Sequence, residues 1–103
     1  MAEVKITVIK KMRPEDVFGD NLPSKIADSY DQECPRLNLG DEFVVPEDGA
    51  CPAGFCGWAF ADLHPVITHF RKDGILDQCK DGKIAIACCT DGIRPVFFKI
   101  ERM

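Results

Sequence analysis

The chain has 103 residues, a length that suits one domain with a single modest hydrophobic core, so residues 1–103 leave no room for a second independent domain. Apolar residues make up 46% and charged residues 29%, an ordinary globular composition that excludes disordered and fibrous classes. The net charge of -4, with scattered lysines, argues against a nucleic-acid partner, and no apolar stretch reaches the roughly 18 to 20 residues that span a membrane.

The N-terminal residues indicate the cellular compartment, and the compartment decides how the cysteines are interpreted. Charged residues such as Glu3 and Lys5 interrupt the first apolar positions, so the chain lacks the continuous apolar core of a secretion signal. We therefore expect a cytoplasmic protein. Its 6 cysteines would suggest three disulfides in an exported chain, but in a reducing compartment they predict free thiols or metal ligands.

The first half of the chain predicts two strands separated by irregular segments. Apolar and polar residues alternate over residues 3–10, which predicts a β-strand with one face on the core. Proline and glycine interrupt residues 12–33, so this segment is expected to be a loop with two short helical turns. Residues 42–45 predict a second strand, and the proline- and glycine-rich residues 46–57 predict an irregular loop.

The second half predicts a helix followed by a hairpin. Apolar residues recur at helical spacing between residues 57 and 72, and Pro65 is expected either to kink this helix or to restart it. Residues 83–89 and 94–102 are rich in strand-forming residues, and the Asp-Gly between them is typical of a tight turn. The expected fold class is α+β, a small antiparallel sheet of about four strands with one main helix packed on one face.

Two adjacent cysteines end the first strand of the predicted hairpin. Because side chains alternate along a strand, Cys88 shares a face with the isoleucines before it, and Cys89 shares the opposite face with alanines. We interpret the isoleucine face as the one that packs on the helix. Cys88 is then expected to be a small core residue, and Cys89, at the edge of the turn, is the better functional candidate.

Three other cysteines are in positions that suit chemistry. Cys56 comes directly before the predicted helix, where free N–H groups and the helix dipole stabilise a thiolate. Cys34 and Cys51 are each followed by proline, as cysteine ligands of iron–sulfur clusters and haem often are. The spacings match neither paired C-x-x-C zinc motifs nor a ferredoxin motif, so the fold must assemble any metal site.

The turn after Cys89 contains two charged candidates. Asp91 and Arg94 flank Gly92, and Arg94 is positioned to steady a thiolate or an anion. The alternative is a turn-forming aspartate with a hairpin salt bridge. His64 and His69 are five positions apart and do not share a helix face as a metal-binding pair would, and Trp58 is expected only to cover the core.

Two segments carry a resemblance to a known family. Residues 54–60, Gly-Phe-Cys-Gly-Trp-Ala-Phe, and residues 87–102, which include Cys-Cys-Thr-Asp-Gly-Ile-Arg-Pro-Val, resemble a family of small uncharacterised prokaryotic proteins of about one hundred residues, common in anaerobes. The similarity extends along nearly the whole chain. It implies that Cys34, Cys56, Cys88 and Cys89 are typical of the family, and its distribution in anaerobes is compatible with an oxygen-sensitive cluster or thiol.

Three hypotheses follow for the cysteines. In the first, Cys34, Cys56 and Cys89, with Cys88, Cys51 or an outside ligand as the fourth, bind an iron–sulfur cluster, or less favourably zinc, for electron transfer with a protein or redox partner that the sequence does not identify. In the second, Cys56 is an attacking thiol without metal, resolved by Cys89 or Cys34. In the third, the cysteines are structural parts of an interaction module. A homo-oligomer that buries the open sheet face is left open.

Overall fold

Four strands and two helices account for most of the regular structure in the computed structural model, which describes residues 2–22 and 24–103. In chain order the elements are strand β1 (Val4–Lys11), helix α1 (Pro14–Phe18), a 3-10 turn (Asp28–Tyr30), strand β2 (Glu42–Val45), helix α2 (Gly57–Arg71), strand β3 (Ile84–Cys88) and strand β4 (Val96–Arg102). The predicted α+β class is confirmed. The expected loop over residues 12–33 includes Pro23, which lies outside the described residues.

All pairings in the sheet are antiparallel, and the strand order is β2-β1-β4-β3. The first and last strands of the chain therefore lie side by side at its centre, with Ile6 opposite Ile100. The β1–β4 register shifts between Val8 and Lys10, and this shift leaves Ile9 on the surface. The predicted hairpin is confirmed, since β3 pairs with β4 from Ile84 opposite Glu101 onwards.

One face of the sheet carries the core and α2 covers it. The helix buries residues at intervals of three and four, Ala59, Leu63, Ile67 and Phe70, against inward side chains of the sheet, Val4, Ile6, Val8, Val45, Ala85, Val96, Phe98 and Ile100. Each fully buried large apolar side chain contributes roughly 1.5–3 kcal/mol. The helix runs unbroken through Pro65, so the predicted restart is wrong. Among the described residues, no helix is both long and apolar enough to cross a bilayer.

The structure corrects the faces of β3. Ala85 is 2% exposed and packs in the core, whereas Ile86 is 37% exposed on the opposite face and Cys88 is exposed as well. The prediction that the isoleucines face the helix, with Cys88 as a core residue, is therefore wrong. Ala85 lies opposite Ile100 of β4, and a small side chain fits there because the helix approaches the sheet closely above it.

The corrected faces of β3 predict a large and a small effect on stability for two neighbouring substitutions. Ala85→Leu should lower the free energy of unfolding by about 1–3 kcal/mol, because the extra volume has no space in the core. Ile86→Thr should change it by about 0.5 kcal/mol or less, because the side chain lies on the solvent face. Urea unfolding measures both, and a larger loss in the Ile86 variant would contradict the structure.

Candidate functional site

A cavity of about 570 Å³ opens at the N-terminal end of α2. Three parts of the chain surround it: the segment from Cys34 to Leu37, the first residues of α2, and the turn that joins β3 to β4. Apolar side chains of the core, including Phe98, form its base. Cys34, Cys56 and Cys89 all line this cavity, and all three are partly buried against the core.

Cys56 is positioned by the residue that precedes it. The Phe55 ring is 9% exposed and packs edge-to-face on Phe98 at 5.5 Å and on Phe43 at 5.0 Å. The chain reaches Phe55 through a tight turn in which its N–H donates to the carbonyl of Pro52 at 3.2 Å. Gly54 occupies the third position of that turn with a φ of 80°, which favours glycine. Cys56 follows at once as the residue that caps α2.

The surroundings of Cys56 favour its thiolate. Nη1 of Arg36 donates to Cys56 Sγ at 3.3 Å. Partial burial raises the pKa of this thiol, but the backbone N–H of Ala59, the hydrogen bond from Arg36, the N–H of Trp58 and the charge of Arg36 outweigh it, and the pKa lies below its usual value. The start of a 15-residue helix thus acts with a guanidinium on one sulfur.

Arg36 and Cys34 reach the cavity from a loop that is anchored directly after Arg36. Leu37 is 2% exposed and holds the loop in the core, while Asp41 closes the following turn by accepting the Asn38 N–H at 2.9 Å. The Arg36 side chain itself is exposed. Its pKa is raised, mainly by the hydrogen bond to Cys56, with a smaller contribution from Cys34.

Cys89 lies just beyond the end of β3 and turns toward the cavity. Its Sγ accepts the backbone N–H of Val96 at 3.4 Å, and its own N–H donates to the Val96 carbonyl at 3.1 Å. The sulfur is therefore held at the first residue of β4. Of the two adjacent cysteines it is Cys89, not Cys88, that lines the cavity.

A side-chain network ties the β3–β4 turn to α2. Asp62 accepts the Thr90 N–H at 2.7 Å, and the Thr90 hydroxyl also lies within hydrogen-bond distance of both carboxylate oxygens, at 3.0 and 3.1 Å. Nε1 of Trp58 in turn donates to the Thr90 hydroxyl oxygen at 2.6 Å. The turn that carries Cys89 is thereby fastened to the first two turns of the helix.

Asp91 and Arg94 have partners within the wall of the cavity. Asp91 accepts the N–H groups of Ile93 and Arg94 and pairs with Arg94 Nε at 3.3 Å. Arg94 also donates to the Ser29 carbonyl at 3.1 Å and stacks on the Tyr30 ring at 4.0 Å. This geometry matches the turn-and-salt-bridge alternative, and Arg94 holds the 3-10 turn against the hairpin.

The other candidate cysteines lie elsewhere. Cys51 and Cys88 are exposed, and the described lining of the cavity includes neither. Burial and the charge of Cys56 raise the pKa of Cys51, and burial with the charges of Cys89 and Asp62 raises that of Cys88. Cys79 is partly buried and free. The raised pKa values disfavour the reactive thiolate at Cys51 and Cys88.

The metal hypothesis can be compared with the side-chain positions. All six cysteines are free, and within residues 2–22 and 24–103 no group of three or more His, Cys, Asp or Glu side chains is close enough to hold a metal ion. Cys34, Cys56 and Cys89 share a cavity without forming such a group. The iron–sulfur and zinc assignments remain predictions.

Several residues of the site had no signal in the sequence analysis. Arg36 is twenty positions from Cys56 and touches it only because two loops meet. Asp62 and Thr90 are likewise far apart in the chain, although Trp58 and Asp62 are one helical turn apart, a spacing that places them on one face. Trp58, expected to cover the core, is 67% exposed and lines the cavity instead.

Comparison with protein-family models, with curated proteins and with solved structures finds no match to this chain. The resemblance drawn from residues 54–60 and 87–102 therefore stays a prediction.

The network around Thr90 predicts a difference between two conservative substitutions. Thr90→Val removes the hydroxyl at nearly constant shape, and it should lower the free energy of unfolding by about 0.5–1.5 kcal/mol. It should also lower the fluorescence anisotropy of Trp58, the only tryptophan, because the indole loses its acceptor. Thr90→Ser keeps the hydroxyl and should leave both quantities near wild type. Unchanged anisotropy in the valine variant would show that Thr90 does not hold Trp58.

Proposed function

We propose that this chain is a thiol-dependent redox protein in which Cys56 is the attacking thiolate. The proposal rests chiefly on one observation, the 3.3 Å contact between Arg36 Nη1 and Cys56 Sγ inside a cavity that two other cysteines also line. A thiolate, not a thiol, attacks sulfur electrophiles, so a site that lowers the pKa of the thiol increases the thiolate fraction and favours attack. The cavity gives a small molecule access to that sulfur.

The proposed reaction is thiol–disulfide exchange with a low-molecular-weight disulfide. The Cys56 thiolate forms a bond to one sulfur of the disulfide, the original S–S bond breaks, and the second sulfur leaves as a thiolate. A second cysteine, Cys89 or Cys34, then attacks Cys56 Sγ, forms a protein disulfide and releases the remaining half as a thiolate. Overall two protein thiols are oxidised and one small disulfide is reduced to two thiols.

The free state of all six cysteines supports a reducing compartment, and we propose the cytoplasm. The alternative in which the cysteines are only structural is less favoured. An exposed arginine and the N-terminal end of α2 both act on the Cys56 sulfur. A cysteine that packs only as a small hydrophobic side chain does not need a cationic partner or helix N–H donors at its sulfur.

Removing the thiol or its cationic partner tests the reaction. Cys56→Ser should abolish the fastest reaction with iodoacetamide, whereas Cys79→Ser should keep it. Arg36→Met should raise the pKa of Cys56, so its alkylation slows at about pH 6, below the usual thiol pKa of about 8.5, and approaches the wild-type rate in alkali. Peptide mapping of alkylation across pH measures this at Cys56, separately from the neighbouring Cys34 and Cys51.

The order of the two exchange steps is tested in the same way. With a small disulfide, Cys89→Ser or Cys34→Ser should trap the mixed disulfide on Cys56, and mass spectrometry identifies the resolving cysteine from the variant that traps it. If Cys56 is alkylated no faster than Cys51 at neutral pH, the proposed role of Cys56 is wrong.

A metal site is the second candidate, because Cys34, Cys56 and Cys89 all border one cavity. Three thiolates on one cavity suit iron–sulfur or zinc ligation when a fourth ligand joins them. Protein purified without oxygen should then contain iron and absorb at roughly 400 nm, or contain one zinc without colour. Single serine variants of the three cysteines should lose the metal and Cys79→Ser should retain it. Metal retained in all three variants would rule this site out.

A further inference from the structure

The cavity has the size of a small-molecule site. Its volume of about 570 Å³ falls within the range of about 300–1,000 Å³ that is typical of small-ligand pockets. Apolar side chains such as Leu37 and Phe98 form part of its lining, and charged groups lie at its edge. The identity of those charged groups indicates which molecule fits.

The charges around the cavity leave one cation without a carboxylate partner. Asp91 is the acidic residue of the described lining, and its oxygens are taken by Arg94 and by backbone N–H groups. Arg94 thereby neutralises Asp91, and its Nη1 donates to the Ser29 carbonyl. Arg36 forms no ion pair with a carboxylate in the part of the chain that the structure describes. The anionic partner of Arg36 is therefore the Cys56 sulfur, so the pair is neutral while Cys56 is a thiolate and positive once Cys56 is bonded to another sulfur.

The geometry of Arg36 leaves donors free for a ligand. A guanidinium has five N–H groups in a planar fork that matches a carboxylate, and the recorded contact with Cys56 uses Nη1. When Cys56 forms a bond to an incoming sulfur, its negative charge moves to the leaving group. Arg36 then loses its anionic partner, and a carboxylate on the substrate can replace it. An anionic substrate is thus bound better as the reaction proceeds than a neutral one.

A fixed aromatic surface lines the same cavity as these donors. The Trp58 indole is 67% exposed at the cavity, and its N–H is held by Thr90, so the ring presents its apolar surface in one orientation. Such a surface suits the flat or apolar body of a ligand whose charged end reaches Arg36.

We propose that the Cys56 site takes a small disulfide that carries a carboxylate close to its S–S bond, with Arg36 holding the carboxylate and Trp58 packing on the body of the molecule. This inference rests on the proposed attack by Cys56. The bond changes are those of the exchange above: the new S–S bond forms at Cys56 Sγ and the carboxylate-bearing thiolate leaves.

The test compares reagents of different charge on one thiolate. The full-length protein reacts with dithiobis(nitrobenzoate), an aromatic disulfide with a carboxylate on each ring, and with neutral dithiodipyridine. The rate constant assigned to Cys56, the phase missing in Cys56→Ser, is divided for each reagent by that of free mercaptoethanol. Because both reagents meet the same thiolate, the ratio of the two normalised rates does not depend on the pKa of Cys56.

The wild-type ratio should favour the anionic disulfide by about tenfold, which corresponds to one charge-assisted contact. Arg36→Met should bring the ratio close to one, and Arg36→Lys, which keeps the charge and loses the fork, should retain part of it. Arg13→Met, which removes the same charge outside the cavity, should keep the wild-type ratio. Trp58→Ala should slow both aromatic reagents and leave the ratio unchanged.

The outcomes separate the two proposals. Fast reaction of Cys56 with both reagents and a wild-type ratio near one would overturn the anionic substrate and leave the attacking thiolate in place. A preference that persists in Arg36→Met would overturn the role of Arg36. Slow reaction with both reagents would overturn the proposed function, and the substrate inference with it.

Discussion

The ring of Phe55 packs on Phe98 at the centre of the sheet and on Phe43 of β2, and the site depends on this contact. Cys56 is the next residue, so a buried ring, rather than the irregular loop before it, fixes the position of the sulfur. Helix α2 begins one residue later, and its buried stripe starts at Ala59. The buried Phe55 ring therefore fixes the position of the Cys56 thiol and of the N-terminal end of α2. It also fixes the register of the helix on the sheet.

Three cysteines of this chain differ in the direction in which their surroundings shift the thiol pKa. Cys51, Cys56 and Cys88 are all only partly removed from water, and burial acts in the same direction on each, raising the pKa. Cys51 and Cys88 have negative neighbours in addition, so their pKa values stay raised. Cys56 alone of these three has N–H donors and a guanidinium, which reverse the sign. The difference comes from partners, not from burial.

Much of the fold follows from local pattern, but the site follows only in part. Strand alternation was sufficient to predict β1 and the Asp-Gly turn to predict the β3–β4 hairpin, because these signals lie within a few residues. The faces of β3 were assigned wrongly because hydrophobicity ranks Ile86 above Ala85, whereas in the structure Ala85 packs in the core and Ile86 lies on the opposite, more exposed face. Cys56 was found from its place before the helix. Arg36 was missed because no local pattern links it to a thiol twenty residues away.

The assembly of the cavity from separate segments has a consequence for its electrostatics. The chain as a whole is acidic and repels anions at long range, yet at physiological ionic strength charges are screened beyond about 8 Å. The Arg36 guanidinium contacts Cys56 Sγ at 3.3 Å, well inside that distance, and Asp91 is paired with Arg94. Once Cys56 is bonded to another sulfur, Arg36 is a local cation that screening does not remove. In the proposed exchange, Arg36 stabilises the thiolate before attack and a substrate anion after it, so one side chain would link the reactivity of Cys56 to the charge of its substrate.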